Sequence, residues 1–422
     1  MKVIEIAELF AGVGGFRIAF DAVNHDVEKD IFKVVWSNQW EPGEKSQWAS
    51  RVYCAKFGED GHCNEDIERV IEESFDTISD FDMLVGGFPC QDYSVAKPKS
   101  ASKGIEGKKG ILWWSIYKIL EKKGGRRPSM ILLENVDRLL SSPSRQRGRD
   151  FAIILSSLSS LGYDIEWRVI DASEYGFPQR RKRTYIFGFR RDSEIGRESA
   201  RHSEQEWMLK DGVLAKSFPC RTKDCGIFDE ISSFGIGSDL YLTSLEFNAK
   251  NAKSPFFNAG FVRNGHCYTV SVDAVYDGKR MVLGDIILPK EYVCDEYWID
   301  SESELEKWRY LKGSKSFMRK NADGYEYRYS EGAMAFPDAL DRPSRTIITG
   351  EGGKSPSRFK HIIVQEGRCR RLVPIELERL NMFPDNHTLI DGISDTRRAF
   401  LMGNALVVGV IRRIAVEIAR RI

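Results

Sequence analysis

The sequence contains no CxxC pair, and its eight cysteines (54, 63, 90, 220, 225, 267, 294 and 369) are scattered over 422 residues. So sparse a set argues against a disulfide framework and against a structural zinc site, so no metal is expected. No stretch approaches the roughly 18 uninterrupted apolar residues of a membrane span, so no membrane partner is expected. The apolar N-terminus, MKVIEIAELFAG, carries acids inside its run and reads as a buried strand rather than a secretory segment. Internal repeats and low-complexity tracts are missing too. Net charge is almost absent, with 63 Lys+Arg against 62 Asp+Glu. What is present is an ordinary 42% of hydrophobic residues, enough for two or three well-cored domains. The expectation is an intracellular enzyme.

The balanced charge hides local asymmetry. Between Glu28 and Asp82 stand fourteen acids and six bases, whereas Lys97–Arg127 holds ten bases and two acids. Further bases follow at Arg138, Arg145, Arg147 and Arg149, and again from Arg180 to Arg191. Such clusters either bind a polyanion or form solvated helix faces.

Over the first 190 residues, apolar runs alternate with helical stretches. Strands are expected at Ile4–Phe10, Phe32–Ser37, Asp82–Gly86, Met130–Leu133, Ile165–Ile170 and Thr184–Phe189. Helices are expected near Gly15–Asp21, Lys45–Phe57, Ile111–Lys122 and Arg149–Leu161. This alternation predicts an α/β fold with a doubly wound, mostly parallel sheet, whose ligands sit at the carboxyl ends of the strands. From Arg191 the texture turns irregular, rich in Gly, Asn, Ser, Phe and Tyr. There Tyr268–Leu288 predicts a hairpin about Asp277-Gly278. A short helix is expected over Glu302–Leu311 behind a Ser301…Glu304 capping box. The pattern divides the chain into 1–190, a smaller irregular β-containing domain at 191–341, its continuation at 342–400, and a helix within 401–422 that packs back onto the first domain.

The chemistry-bearing residues fall at strand ends. Leu9–Phe16, LFAGVGGF, is a glycine-rich strand-to-helix turn, either a plain tight turn or a ligand cradle. Gln39 and Trp40 close the next strand, where a polar group can meet ribose hydroxyls and an indole can stack on a purine. Asp66-Ile67 offers an acceptor beside an apolar wall. Cys90, flanked by Gly and Pro after the Asp82–Gly86 strand, is either a small core residue or an exposed thiol needing a cationic setting to ionise. Glu134 ends a strand and can serve as a proton donor or hydrogen-bond partner. Arg181 and Arg183, two apart at the start of an extended run, are expected to share a face.

In this order the segments LFAGVGGF (Leu9), GGFPCQDYS (Gly86), LLENV (Leu132), GFPQRRKR (Gly176), RPSRTIIT (Arg342), RLVPIELERLNMFPD (Arg371) and MGNALVVGVI (Met402) resemble the DNA (cytosine-5) methyltransferases of bacterial restriction–modification systems. The resemblance implies an S-adenosylmethionine-dependent methyltransferase fold, with a target-recognition domain at 191–341. Cys90 would be the nucleophile at cytosine C6, Glu134 would hold N3 and the exocyclic amine, Arg181 would contact O2, and Arg183 would position the catalytic groups. S-adenosyl-L-methionine would lie against Phe10, Gly12, Val13, Gly15, Gln39, Trp40, Asp66, Ile67, Pro89, Leu112, Asn404 and Ala405. Double-stranded DNA would be met by Gln91, Ser94, Lys97, Lys99 and Gln179, the target cytosine being flipped out of the duplex.

The family commonly carries an acid where this chain has Gln39, which changes how the ribose is held. The tRNA-cytosine methyltransferases share these motifs, but the long insert favours duplex DNA. The wording NQWEP and FPCQDYSVA is similar to methylases protecting GATC sites. A cytoplasmic, nucleoid-associated monomer is expected, with a cognate restriction endonuclease that need not bind it.

Overall fold

The acid-punctuated N-terminal run is a strand, β1 (Ile4–Leu9), buried everywhere but at Glu5. Beside it lie β2 (Phe32–Asn38), β3 (His62–Cys63), β4 (Met83–Gly87) and β5 (Met130–Val136). These pair in parallel in the order β3-β2-β1-β4-β5. Parallel strands need crossovers, and α1 (Gly15–Asp26), α2 (Trp48–Phe57), α3 (Ile67–Glu73) and α4 (Ile111–Lys123) lie along them. A sheet covered on both faces requires continuous apolar strands rather than alternating ones. Met83-Leu84-Val85 and Ile131-Leu132-Leu133 meet that demand, all fully buried. On α1, Phe16, Ala19, Phe20 and Val23 recur at helical spacing and form its buried stripe.

The computed structural model describes residues 2–88, 111–223, 231–237, 239–249, 253–320 and 324–422. These form two compact units. The first comprises Met1–Tyr175, Lys182–Gly278 and Val408–Ile422; the second comprises Gly176–Arg181 and Lys279–Val407.

In the first unit the sheet continues past β5 in antiparallel fashion. After α5 (Arg149–Ser160) and β6 (Tyr163–Asp171) the chain visits the second unit for β7 (Gln179–Arg180). It then returns as β8 (Lys182–Arg190), which inserts between β5 and β6. Outside β6 lie β11 (Ala259–Arg263), β12 (His266–Val270) and β10 (Ser232–Gly235), giving ten strands among the described residues. A small pair, β9 (Cys220–Thr222) with β13 (Val272–Ala274), completes the unit's strands. The units therefore divide after Gly278, not at the change of texture at Arg191. Residues 191–278 fall in the first unit, and β10, β11 and β12 extend its large sheet, β11 fitting against β6 at one glycine. A Cβ on Gly260 would lie 2.0 Å from the buried Trp167 indole.

Two local expectations are corrected here. The hairpin turn is Asn264-Gly265, both left-handed (φ 51° and 76°), joining β11 to β12. Asp277-Gly278 makes no hairpin: the Tyr276 ring packs at Gly278, and the following run breaks into a 3-10 turn at Leu283–Asp285. The single C-terminal helix expected at 404–422 is two helices, Asp395–Asn404 in the second unit and Val408–Ala419 in the first. Asn381 Nδ2 takes the Met402 carbonyl at 2.8 Å, which a continuing helix would offer to Leu406. The second helix packs on α1, where Arg412 pairs with Asp26. No single helix among the described residues is long and apolar enough to cross a membrane.

The second unit has little sheet. Strand β7 pairs in parallel with β17 (Ser344–Arg345). Strands β14 (Trp298–Ile299), β19 (Arg368–Arg371) and β18 (Ile362–Gln365) form an antiparallel trio, and β15 (Lys315–Lys320) with β16 (Glu326–Glu331) forms a separate hairpin. The helix Glu302–Lys312 forms without the expected capping box, since Ser301 Oγ bonds Ser303 Oγ instead and Glu304 reaches Trp308 Nε1. Ile299, Trp308 and Ile362 form one apolar cluster here, and Leu283, Ile347, Leu380 and Met402 are buried as well. Buried ions supply a further part of the interior. Arg370 donates to both oxygens of Glu376 at 2.9 and 2.6 Å, and Glu376 also accepts from the Leu288 and Val373 N–H groups.

Candidate active site

The turn after β1 is backbone held in an unusual region. Phe10 (φ 54°), Gly12 (φ 58°) and Gly14 (φ 83°) are all left-handed, and a non-glycine residue so placed stores strain of a kind that gathers at functional sites. Gly14 is required by packing, because a Cβ there would lie 2.2 Å from the Phe57 ring. At Gly12 the opposite holds: nothing described lies within 4 Å of where a Cβ would be. Among the described residues, one side of the turn is open.

Gln39, buried at the β2 end, accepts the Gly12 N–H on Oε1 at 2.7 Å. Its oxygen is thus committed to holding the turn, and Nε2 is the amide group that can meet a ligand. Trp40 beside it is 36% exposed, well placed to offer a ring face. Asp66 caps α3 by accepting the Glu68 N–H at 3.0 Å, and Ile67 behind it is buried. Val13 and Gly15 are also buried, while Phe10 and Leu112 are half-buried against the core. An open, glycine-floored turn flanked by an indole and a polar amide fits a nucleoside-bearing ligand.

Beneath this turn runs a buried polar network that the sequence reading missed. Glu8 on β1 is wholly buried and accepts from Tyr53 Oη at 3.1 Å. Burial raises its pKa from 4.5 to about 8, against the opposing pull of Tyr53 and Arg17. His62 bridges Ser37 Oγ and Ser50 Oγ at 2.8 Å each and stacks on the Tyr53 ring. Burial lowers its pKa to about 4. Neutral Glu8 and neutral His62 stitch β1, β2 and α2 together behind the cradle. Only the acid inside an apolar strand could have signalled this.

A second cluster stands at the carboxyl ends of β4 and β5. Glu134 lies opposite Gly87 in the ladder, and a Cβ on Gly87 would approach Glu134 Oε2 to 3.2 Å, so the glycine makes room for the carboxylate. Arg183 on β8 donates to Glu134 Oε1 at 2.8 Å, both side chains being more than four-fifths buried. The pair fixes an acceptor in a defined orientation at a strand end. Asn135, buried, donates to the Phe88 carbonyl at 2.6 Å while its Oδ1 accepts the Val136 N–H. It tethers the backbone two residues before Cys90, a role that adjacency to Glu134 alone hinted at. Pro89, Cys90, Gln91, Ser94, Lys97 and Lys99 lie outside the described residues.

Two expectations from the QRRKR run are corrected. The run is not one strand: it breaks at Arg181, between β7 and β8. Arg181 belongs to the second unit, buried, donating to the Ile347 and Gly403 carbonyls at 3.3 and 2.9 Å. Gln179 is fully buried and cannot touch DNA. Its amide donates to the Leu380 carbonyl and Asn381 Oδ1 and accepts the Ile347 N–H, stapling the second unit internally. Asn404, exposed, ends the Asp395–Asn404 helix, and Ala405 is its half-buried C-cap.

A family model described as C-5 cytosine-specific DNA methylase matches residues 4–420. The chain is 41% identical over 420 residues to the Type II methyltransferase M.Sau3AI of Staphylococcus aureus, covering all of this chain and 96% of that protein. It is 33% identical over 192 residues to the Type II methyltransferase M.HhaI of Haemophilus parahaemolyticus, 46% of this chain and 51% of that protein. Among solved structures, the S. pombe Dnmt2 methyltransferase resembles it with a TM-score of 0.56 over 99% of this chain and 98% of that one. At 14% identity this is a likeness of fold.

Proposed function

The chain belongs to the C-5 cytosine-specific DNA methylase family, and we propose that it is the sequence-specific methylase of a restriction–modification system acting on duplex DNA, with Cys90, Glu134, Arg181 and Arg183 as its working residues. The methyl donor is S-adenosylmethionine, whose sulfonium supplies an electrophilic methyl group. Its nucleoside would lie over Gly12 and against Trp40, with Gln39 Nε2 toward the ribose and Asp66 near the adenine. The open face at Gly12 supports this reading.

Stacked cytosine hides C6, so the base must leave the duplex before a protein group can reach it. The Cys90 thiolate then bonds to C6, and the ring's electron pair moves to C5, which becomes nucleophilic enough to take a methyl group. Glu134, oriented by Arg183 at 2.8 Å, holds the N3 edge and shares a proton with it as charge develops. Loss of the C5 proton to a base restores the double bond, and the Cys90–C6 bond breaks. Asn135 holds the Phe88 backbone so that the cysteine loop starts from a fixed point. Arg181, with two N–H groups spent on carbonyls, orders the backbone around itself as well as offering charge.

The observation that carries this reading is the Glu134–Arg183 pair at the β5 end, with Asn135 tying the same strand end to the Phe88 backbone. A monomer acting at the nucleoid suffices for this chemistry, and a co-encoded endonuclease need not bind it. Bisulfite sequencing of DNA from cells expressing the protein tests the reading. Protected cytosines should share one sequence context, expected to be of the GATC type, and purified protein should methylate duplex DNA far faster than tRNA. Preference for tRNA would overturn the assignment.

A further inference from the structure

Among the described residues β15 and β16 pair only with each other, and most of their side chains are exposed. An isolated two-stranded ribbon is marginal in water, so its exposure calls for a use. Its root is firmly held: Arg358 donates to the Leu311 and Gly313 carbonyls before β15 and to the Gly332 carbonyl after β16, and pairs with Glu331 at 3.3 Å. Beyond that clamp each strand runs for six residues, about 20 Å at the usual rise.

Register gives the ribbon two different faces. On one, Phe317 and Arg319 stand opposite Tyr329 and Tyr327, with the Arg319 guanidinium 3.9 Å over the Tyr329 ring. On that face the guanidinium is stacked against the Phe317 and Tyr329 rings. On the other, Ser316, Met318 and Lys320 stand opposite Ser330, Arg328 and Glu326. Here Arg328 Nε donates to Ser316 Oγ at 2.8 Å, which sets the guanidinium fork across the face, and Met318 beside it is 60% exposed. Four bases stand against three acids from Lys315 to Glu331, and the two acids on the strands, Glu326 and Glu331, have cationic partners in Lys320 and Arg358.

We infer that this ribbon enters the major groove of duplex DNA and that its Met318–Arg328 face reads bases. The inference rests on the DNA-methylating function above and narrows target choice from 191–341 to twelve residues of the second unit. A groove about 12 Å wide admits a two-stranded ribbon edge-on to its walls. Arg328, already braced by Ser316, presents a fork that matches the two acceptors of guanine. Met318, apolar and exposed, suits a thymine methyl group. The net positive charge of the ribbon complements the phosphates on either side.

The test uses full-length protein and duplexes with a randomised window around a cytosine, read by bisulfite sequencing. Arg328→Ala should relax discrimination at one G·C position by roughly tenfold or more, and Met318→Ala should relax an A·T position by less. Arg319→Ala, on the Phe317–Tyr329 face, should leave every base preference as it was. All three side chains are exposed, so melting temperatures should stay close to that of the parent. Unchanged preferences in Arg328→Ala, with transfer intact, would overturn the ribbon's role alone. So would a uniform loss across all sequences with a salt slope smaller by about one, the mark of a phosphate contact. A parent protein that methylated no duplex at C5 would instead overturn the function itself.

Discussion

The two units are held together by different physics. In the first, fully buried strands such as Met83-Leu84-Val85 and Ile131-Leu132-Leu133 meet helices across both faces of a ten-stranded sheet among the described residues. In the second, buried apolar groups such as Ile347, Leu380 and Met402 share the interior with ion pairs, and Arg370–Glu376 and Arg398–Glu378 lie wholly or almost wholly inside. An apolar sheet of this kind fixes its strand ends to within a rotamer, which is what Glu134, Arg183 and the Gly12 turn need. Buried ions buy orientation at the cost of desolvation, and they make a small unit depend on each partner being present. The first unit thus leans on packing and the second on polar staples. Each prediction below can break that contrast.

The largest effect is expected at the first unit's strand end. Glu134→Gln keeps shape but loses the proton-sharing carboxylate, and kcat/KM should fall by roughly 10²–10⁴ with the melting temperature little changed. A variant that melts early yet turns over normally would make the Glu134–Arg183 pair a fastening rather than an active group.

In the second unit, Arg370→Ala leaves Glu376 buried and uncompensated, and should destabilise that unit by about 3–5 kcal/mol. Replacing both partners, with Arg370→Met and Glu376→Gln, removes both charges, keeps one acceptor oxygen for the Leu288 and Val373 N–H groups, and should cost less. Hydrogen exchange checks this. Protection should drop in β14, β18 and β19 while β4 and β5 stay protected, and a loss spread evenly over both units would erase the contrast.

A smaller effect is expected at Glu8. Its carboxyl is raised from 4.5 to about 8 in the folded chain, so the stability it lends is fully present below 4.5 and is lost as pH rises through 8. Glu8→Gln should therefore melt with the parent in mild acid and above it in mild alkali. The reverse order would show that Glu8 works as a carboxylate.

The smallest effect concerns the cofactor edge. Trp40→Ala should weaken S-adenosylmethionine binding several-fold through lost stacking. Gln39→Ala should weaken it less, and Gln39→Glu should be neutral or tighter, since a carboxylate can accept from ribose hydroxyls. Calorimetry ranks the three, and a larger loss for Gln39→Ala would give the ribose contact priority over the ring.

The same contrast explains what could be read in the sequence. Strand–helix alternation put β1, β2, β4, β5, β6 and β8 within a few residues of their observed ends, because burial on two faces writes itself as apolar runs. The Leu9 turn, Gln39 and Glu134 were legible for the same reason, since each lies at or just past the carboxyl end of a strand. The second unit resisted. Gln179 looked like a surface amide in a basic run, yet it is buried by Leu380, Asn381 and Ile347, up to 202 residues away in sequence. Residues 191–278 looked like a separate domain because antiparallel additions at a sheet edge carry short, glycine-punctuated strands. Asn264-Gly265 was the turn signal overlooked in favour of Asp277-Gly278.

The covalent step is the account's central claim, and a duplex carrying 5-fluorocytosine at the target tests it directly. Fluorine cannot leave C5 as a proton does, so the Cys90 bond to C6 should persist once the methyl group has been transferred. Denaturing electrophoresis should show a protein–DNA adduct with the parent protein in the presence of S-adenosylmethionine and none with Cys90→Ala. An adduct formed equally by the Cys90→Ala protein would contradict the account.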